Sequence, residues 1–176
     1  MDFTELSKLR QSCRKYNPEK AVDEEKISTI LEAANLAPSA CNSQPYNVTV
    51  AKGIKAKEVA KATTGMGMNS FTADAPVMLI IAEGSYSRTA AMGAKVKGND
   101  YRSIDIGILS AFITLKAAEL GLGTCILGWF DDKKVRSICN IYTPVRLIIT
   151  LGYPEDNYPI RDKKRKNISD YVSFIE

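Results

Sequence analysis

The chain has 176 residues, enough for one domain with a substantial core and hardly enough for two. Its 45% hydrophobic and 25% charged residues are those of an ordinary globular protein, and no apolar run approaches the ~20 residues of a membrane span. The 24 basic and 20 acidic residues leave a modest net charge of +4, and the absence of histidine excludes imidazole-based triads and the commonest metal ligand.

The cysteines point to a reducing compartment. Cys13, Cys41, Cys125 and Cys139 are widely spaced, so no pair has the spacing of a metal site. The first five residues are acidic and lack the apolar centre of a signal peptide. We therefore expect a cytoplasmic protein without a metal site and without a membrane partner.

Apolar residues at helical spacing predict a short helix over residues 2–10. Residues 10–16, with the sequence RQSCRKY, follow and end before Asn17-Pro18. Because a proline disfavours helix at the residue before it, we expect the helix to pass into a loop here. Two arginines around a serine offer guanidinium forks and a hydroxyl that suit a phosphate, and the same residues also suit a solvated surface.

A second helix is predicted to begin after Asp23, a candidate N-cap, and its apolar stripe runs to Ala37. The segment Pro38–Pro45 then ends the helix, because two prolines bracket small residues and two amides. The carboxamides of Asn42 and Gln44 offer donors and acceptors that would suit a flat ligand with polar edges. An ordinary helix-to-strand loop with a turn at each proline fits the local composition as well.

A strand is predicted over residues 46–52, a helix over 55–62 and a glycine-punctuated connection over 63–70. The branched, apolar run at 75–82 predicts a strand covered on both faces. Residues 83–99 show no clear periodicity. An irregular segment of this length in a small domain is typical of a lid or a binding segment, and disorder is the alternative.

The strongest helix signal covers residues 101–121, where apolar residues line a face and Gly121 supplies the stop. Because residues 103–114 carry so little charge, we expect burial on more than one side, either in a central core helix or in an oligomer interface. Residues 121–130 then turn into a short strand, and their glycines permit close backbone approach for packing or for a ligand.

A further helix is predicted from a cap at Asp131-Asp132 through Cys139, and a strand over residues 145–152. The basic residues 161–166 favour a discrete anion site over a nucleic-acid face. The tail over residues 168–174 is too apolar for a solvated end, so we expect it to dock, with a partner subunit as one candidate surface. The order of elements predicts a mixed sheet with helices on its faces.

Taken in order, these stretches resemble the FMN-dependent nitroreductase family over nearly the whole chain. The resemblance rests on residues 10–16 (RQSCRKY), 33–46 (AANLAPSACNSQPY), 105–107 (DIG), 117–125 (AAELGLGTC), 151–154 (LGYP) and the basic Lys163-Lys164-Arg165. It implies a single FMN-binding domain over residues 1–176. The implied fold is α+β, a three-layer α-β-α arrangement around a mixed, mainly antiparallel sheet.

The resemblance also implies a homodimer with two FMN sites at the subunit interface, each built from both subunits. The long helix at residues 101–121 would lie in that interface, and the C-terminal tail would be exchanged between subunits. Both implications fit the independent reading of a helix that is apolar on several sides and a tail too apolar to stay in solvent.

Carried over by position, the family's flavin contacts fall on three groups of residues. The phosphate and ribityl chain would be held by Arg10, Ser12 and Arg14, with Lys163 and Arg165 completing the phosphate clamp. The flavin ring would be met from the partner subunit by Pro38, Ser39, Asn42 and Gln44. Backbone N–H groups would be presented to flavin N5 and the adjacent carbonyl by Leu127 and Gly128.

The implied activity is that of an FMN-dependent oxidoreductase. NADH or NADPH would transfer hydride to flavin N5 and leave, and a nitroaromatic, a quinone or a similar electrophile would then be reduced in the same pocket, a ping-pong cycle. Because this chemistry belongs to the cofactor, no catalytic residue is assigned to the protein. Two alternatives stand beside it: a flavin-binding or flavin-handling protein of the same fold with little NAD(P)H turnover, and a basic nucleic-acid-binding module, which lacks the usual interleaved aromatics.

Overall fold

The computed structural model describes residues 1–176, in which four strands and six helices follow the order that the apolar patterns predict, with one helix added. The helices are α1 (Phe3–Leu9), α2 (Glu24–Asn35), α3 (Gly53–Thr63), α4 (Arg88–Lys97), α5 (Tyr101–Glu119) and α6 (Asp132–Cys139). The strands are β1 (Tyr46–Lys52), β2 (Val77–Glu83), β3 (Gly123–Leu127) and β4 (Val145–Gly152). Short 3₁₀ turns lie at Ala40–Asn42, Gly65–Gly67, Ser70–Asp74 and Ile168–Asp170.

The strands form one sheet in the order β1-β2-β4-β3, and every neighbouring pair is antiparallel. The single parallel pairing is an isolated bridge between Ser12 and Thr124, which joins the segment after α1 to the edge strand β3. The prediction of a mainly antiparallel sheet is therefore confirmed. β2 is central and buried from Val77 to Ala82, as predicted for a strand covered on both faces.

Helices cover both faces of the sheet, which confirms the three-layer α-β-α arrangement. Alternate side chains of β2 belong to different core clusters, since successive residues of a strand point to opposite faces. One cluster joins Val77, Leu79 and Ile81 to the buried side chains of α2 and α5. The other joins Met78, Ile80 and Ala82 to those of α3 and α6.

The longest helix, α5, has one face in the core and the opposite face at the surface. Its N-cap is Asp100, whose carboxylate accepts the Ser103 N–H at 3.1 Å, and Gly121, two residues after its end, takes a left-handed φ of +76°. One face is buried against the sheet, and the opposite face exposes the small and apolar residues Ile104, Gly107 and Ala111. Burial on one side is thus confirmed, and the second apolar face lies open in the single chain. None of the helices, α5 included, combines the length and apolarity needed to cross a membrane.

The prediction of no regular element over residues 83–99 is wrong, because α4 occupies most of the segment. The Ser87 hydroxyl caps its first turn by accepting the Ala90 N–H at 3.2 Å, and Gly98 ends it with a left-handed φ of +61°. Only Ala90 of the helix is buried. A helix with one buried residue has no apolar stripe, which is why periodicity did not indicate it.

The C-terminal tail does not pack on the core of its own chain. Over residues 168–174 it contains only the short turn at Ile168–Asp170. Ile168, Tyr171 and Phe174 are all largely exposed, Phe174 at 90%. The docking expected of this apolar tail is therefore not made within the single chain.

Candidate functional site

The segment after α1 and the late basic segment meet beside the edge strand β3. Cys13 donates its N–H to the Thr124 carbonyl at 2.8 Å, which fixes the first segment along the strand. The Gln11 side chain then ties the second segment to the first: its amide donates to the Pro159 carbonyl at 2.8 Å and accepts the Arg161 N–H at 3.1 Å. Stretches about 150 residues apart in sequence are thereby held side by side.

Together these segments form a pocket without a single apolar side chain. It is lined by Arg10, Gln11, Ser12, Arg14, Arg161, Asp162, Lys163, Lys164 and Arg165. The structure thus brings together all five residues predicted for the phosphate clamp. The lining also contains Gln11, which no sequence pattern indicated, and Arg161, Asp162 and Lys164 of the predicted basic run.

The pocket carries excess positive charge, because six cationic side chains share its lining with one carboxylate, Asp162, which forms no ion pair within 4 Å. Every ion pair within 4 Å lies elsewhere in the chain, so none of the six cationic side chains of the lining is paired with a carboxylate. The pKa of Lys163 is lowered, first by desolvation and then by the nearby charges of Arg10, Arg165 and Arg161. Cations held together in excess over carboxylates attract an anion, and arginine forks match the oxygens of a phosphate.

Two of these side chains are fixed by the backbone. Lys163 donates from Nζ to the Lys8 carbonyl at 2.7 Å, and Arg161 donates to the Ser12 carbonyl. By contrast, the guanidinium of Arg165 bonds only the neighbouring Lys164 carbonyl, at 2.8 Å, and that of Arg14 has no partner in the protein. Arg14 and Arg165 therefore have donors available for a ligand.

The polar pocket opens into a groove along the exposed face of α5. Arg10, Lys163 and Arg165 line both, and the groove continues over Ser7, Gly107, Ala111, Thr114, Leu115 and Ile126. Its floor is built from small and apolar side chains of α5 and from Ile126 of β3. The combined site therefore offers an anion-binding end and a less polar, extended floor beside it.

The end of β3 follows Ile126 of the groove, but neither Leu127 nor Gly128 is among the residues that line it. The Leu127 side chain is buried in the core, so only its main chain can meet a ligand. Gly128 is exposed, and a Cβ at this position would meet no atom within 4 Å. The space beside Gly128 is thus open for the edge of a flat molecule.

The loop with the two amides does not join the pocket within the same chain. Pro38, Ser39, Asn42 and Gln44 line neither the polar pocket nor the groove. Their loop bonds to α5 at the buried Asp105, whereas the α5 residues that line the groove, Gly107 to Leu115, follow it by about 3–15 Å along the helix at a rise of about 1.5 Å per residue.

The loop is shaped by its own polar groups. The Ser39 hydroxyl accepts the Gln44 N–H at 3.0 Å, and the Gln44 amide donates to the Asn42 carbonyl at 3.2 Å. Cys41, Asn42 and Gln44 take left-handed φ values of +50°, +50° and +45°. Such values are uncommon outside glycine and persist only where the surroundings fix them.

Two buried thiols lie next to the polar pocket. Burial raises the pKa of Cys125, and the charge of Arg14 only partly offsets this. Burial likewise raises the pKa of Cys13, by more than the backbone hydrogen bond at Lys15 lowers it. Both side chains are therefore neutral thiols at neutral pH, which is the unreactive form.

Comparison with known proteins agrees with this geometry. The sequence profile of the nitroreductase family matches residues 8–153. A protein of Methanothermobacter thermautotrophicus, provisionally named NADH dehydrogenase/NAD(P)H nitroreductase, is 33% identical over 168 residues, which cover 92% of this chain and 82% of the relative.

Solved structures give the same result. An FMN-dependent nitroreductase of Clostridium difficile is 28% identical, with a TM-score of 0.74 and 99% of each chain covered. A nitroreductase family protein of Streptococcus pneumoniae shares the fold, with a TM-score of 0.82 over 99% of this chain and 100% of that one at 24% identity. Family profile, relative and fold coincide over nearly the whole length, and the chain belongs to the nitroreductase family.

Proposed function

We propose that the protein is an FMN-dependent oxidoreductase that passes hydride from NADH or NADPH to nitroaromatic, quinone or similar electrophilic substrates in a ping-pong cycle. The observation that carries the proposal is the polar pocket, in which six cationic side chains face one carboxylate, Asp162, and form no ion pair within 4 Å. An enzyme that relies on a bound cofactor for its chemistry needs such an anchor more than it needs reactive side chains.

The residues present fit the phosphate of FMN. Arg10, Arg14 and Arg165 would donate charge-assisted hydrogen bonds to its oxygens, which are roughly twice as strong as neutral ones. Ser12 would add a hydroxyl on the same side, and Lys163 an ammonium held by the Lys8 carbonyl. In the bound state the phosphate would also offset the mutual repulsion that these cations experience without it.

The groove fits the rest of the cofactor. The small residues of α5 and Ile126 would hold the ribityl chain and ring, and Leu127 and Gly128 would offer backbone N–H groups to the ring edge. When bound, FMN would supply the redox chemistry, that is, acceptance of hydride at N5 and transfer of two electrons to the acceptor. The protein's part is to hold the ring, to offer backbone donors to its edge and to leave space at Gly128.

We also propose a homodimer in the cytoplasm. A second copy of the chain would cover the exposed apolar face of α5 and would give the tail a surface on which to dock. In that dimer Pro38, Ser39, Asn42 and Gln44 would reach the flavin ring of the partner. The four cysteines are free, which suits a reducing compartment.

The experiment is an absorbance spectrum of the purified protein, followed by anaerobic titration with NADH and with NADPH. We expect a yellow protein whose flavin band near 450 nm (about that wavelength for flavins generally) bleaches with one nicotinamide and returns when a quinone or nitroaromatic is added. Bound flavin that neither nicotinamide reduces would favour the flavin-handling alternative. A colourless protein that takes up no added FMN would overturn both.

A further inference from the structure

Asp105 belongs to a motif that the proposed flavin contacts do not use, and its surroundings are unusual for a carboxylate. It lies on the buried face of α5 with only 3% of its surface exposed. Its Oδ1 accepts the backbone N–H of Ala40 at 3.0 Å, and its Oδ2 is buried without any partner.

No cation explains why a carboxylate is buried here. Arg102 lies one turn earlier on the same helix, but its ion pair goes to Glu83 at 2.5 Å. Asp105 itself takes part in no ion pair within 4 Å. A buried charge without a cationic partner is a poor device for stabilising a fold, since desolvation disfavours it. The hydrogen bond that Asp105 accepts from the Ala40 N–H is therefore the contact through which it can act.

That bond reaches the loop with the left-handed residues. Ala40 directly precedes Cys41 and Asn42, whose φ values of +50° need support from outside the loop. The other bonds that shape the loop are local, such as that from the Gln44 N–H to the Ser39 hydroxyl. Asp105, 65 positions away in sequence, fixes the loop to the rigid core helix, and a charge-assisted bond is the strong form of such an anchor.

A second connection ties the same loop to α4. The hydroxyls of Ser43 and Ser87 lie 2.7 Å apart, and Ser87 is the N-cap of that helix. Tyr86, next to it, has a buried hydroxyl without a partner, and Asp105 contributes, after burial, to the raised pKa of this tyrosine. Asp105 thus faces the loop on one side and the start of α4 on the other.

We propose that Asp105 is a positioning residue: it holds the loop at residues 38–44 in the conformation that presents Ser39, Asn42 and Gln44 to the flavin. The inference rests on the proposed function, because the loop's ligand is FMN only if the protein binds FMN. The role is exerted through the Ala40 N–H and requires no contact between Asp105 and the cofactor.

The test compares substitutions at Asp105 with a matched control on the same helix. Asp105→Leu removes the charge and the acceptor while filling the space, Asp105→Ala is a second version, and Asp105→Asn keeps a carbonyl oxygen for the Ala40 N–H. Ser110→Ala is the control, since Ser110 is also buried on α5 and its hydroxyl bonds only within the helix, to the Ile106 carbonyl at 2.7 Å.

Two readouts are measured: amide hydrogen exchange over residues 38–46 in the FMN-free protein, and the dissociation constant of added FMN. With the acceptor gone, we expect both exchange in the loop and the FMN dissociation constant to rise about tenfold or more, as for loss of a charge-assisted hydrogen bond. Exchange in α5 should match that of Ser110→Ala, and Asp105→Asn should restore both readouts toward wild type.

The outcomes separate the two proposals. If the wild type binds FMN and the Leu and Ala variants show unchanged loop exchange and FMN affinity, the positioning role is overturned and the proposed function stands. If the Asn variant is as impaired as the Leu variant, the bond to Ala40 is not the cause and the inference fails. A wild type that takes up no FMN overturns the proposed function, and with it the flavin role of the loop.

Discussion

Replacement of Arg165 by alanine, alone and together with Arg14→Ala, tests the phosphate site most directly. Both guanidinium groups lie in the polar pocket and are free of ion pairs. The Arg165 group bonds only the adjacent Lys164 carbonyl, and the Arg14 group bonds nothing in the protein. Their loss should therefore leave the fold and its melting temperature unchanged, unlike loss of Arg161, which would release Ser12 and Gln11.

The expected effect follows from the bond that each arginine would make. A hydrogen bond to a charged group contributes about 1.5–3 kcal/mol, and these side chains are exposed, so the lower end applies. At about 1.4 kcal/mol per factor of ten, each substitution should weaken FMN binding roughly tenfold. Because both would bond one phosphate, the double variant should lose less than the product of the two single effects.

The assay is equilibrium titration of FMN-free protein with FMN, followed by flavin fluorescence, at low and high ionic strength. Riboflavin, which lacks the phosphate, should bind wild type and variants alike. Lys133→Ala, an exposed basic residue of α6 outside the site, is the control for loss of one positive charge. Wild-type FMN affinity in the double variant at low salt would refute the phosphate assignment.

Three further outcomes are expected. Gly128→Val should leave the melting temperature unchanged, because the added side chain enters open space, while FMN affinity and the rate of flavin reduction both fall. FMN affinity should decrease as pH rises through the pKa of Lys163, which is lowered from the usual 10.5, because only the protonated amine attracts the phosphate. The affinity of the wild type for riboflavin should not show this pH dependence, and neither should the affinity of the Lys163→Arg variant for FMN. Ile104→Glu, on the exposed face of α5, should give a monomer by light scattering that retains little FMN, whereas Ile54→Glu on the exposed side of α3 should remain a dimer.

The elements that the sequence predicted best are those whose side chains must match a two-sided core. β1 and β4 begin and end where predicted, and the run at 75–82 forms the strand Val77–Glu83 because its alternate residues serve both core clusters. The end of α5 near Gly121 was predicted equally well, because the position after a helix often takes a left-handed φ, which favours glycine. In these places local chemistry and tertiary burial favour the same structure.

α4 shows where that agreement is lost. Its caps, Ser87 and Gly98, were present in the sequence, but a helix that buries only Ala90 offers no periodic pattern. Asp23 shows the converse, a cap residue whose carboxylate makes no capping bond although the helix begins at the next residue. Caps alone are weak signals, and periodicity reports only the helices that pack closely against a core.

The candidate site was predictable to the extent that it is made of charge. The residues of the polar pocket were marked by their basic side chains, and the structure brings Arg10, Ser12, Arg14, Lys163 and Arg165 together. The sequence contained no comparable signal for the contacts of Gln11 with Pro159 and of Asp105 with Ala40. Each joins a common side chain to a backbone group far away in sequence, so only the fold reveals it.

The positions of the groove and of the amide loop along α5 indicate why a flavin site would need two chains. The groove meets the helix from Gly107 to Leu115, and the amide loop meets it at Asp105, about 3–15 Å earlier along the axis at a rise of about 1.5 Å per residue. If the exposed face of α5 packs on its copy about a two-fold axis with the helices antiparallel, the early part of one helix lies opposite the late part of the other. The amide loop of one subunit then comes to the groove of its partner, so a substitution that separates the subunits should also empty the flavin site.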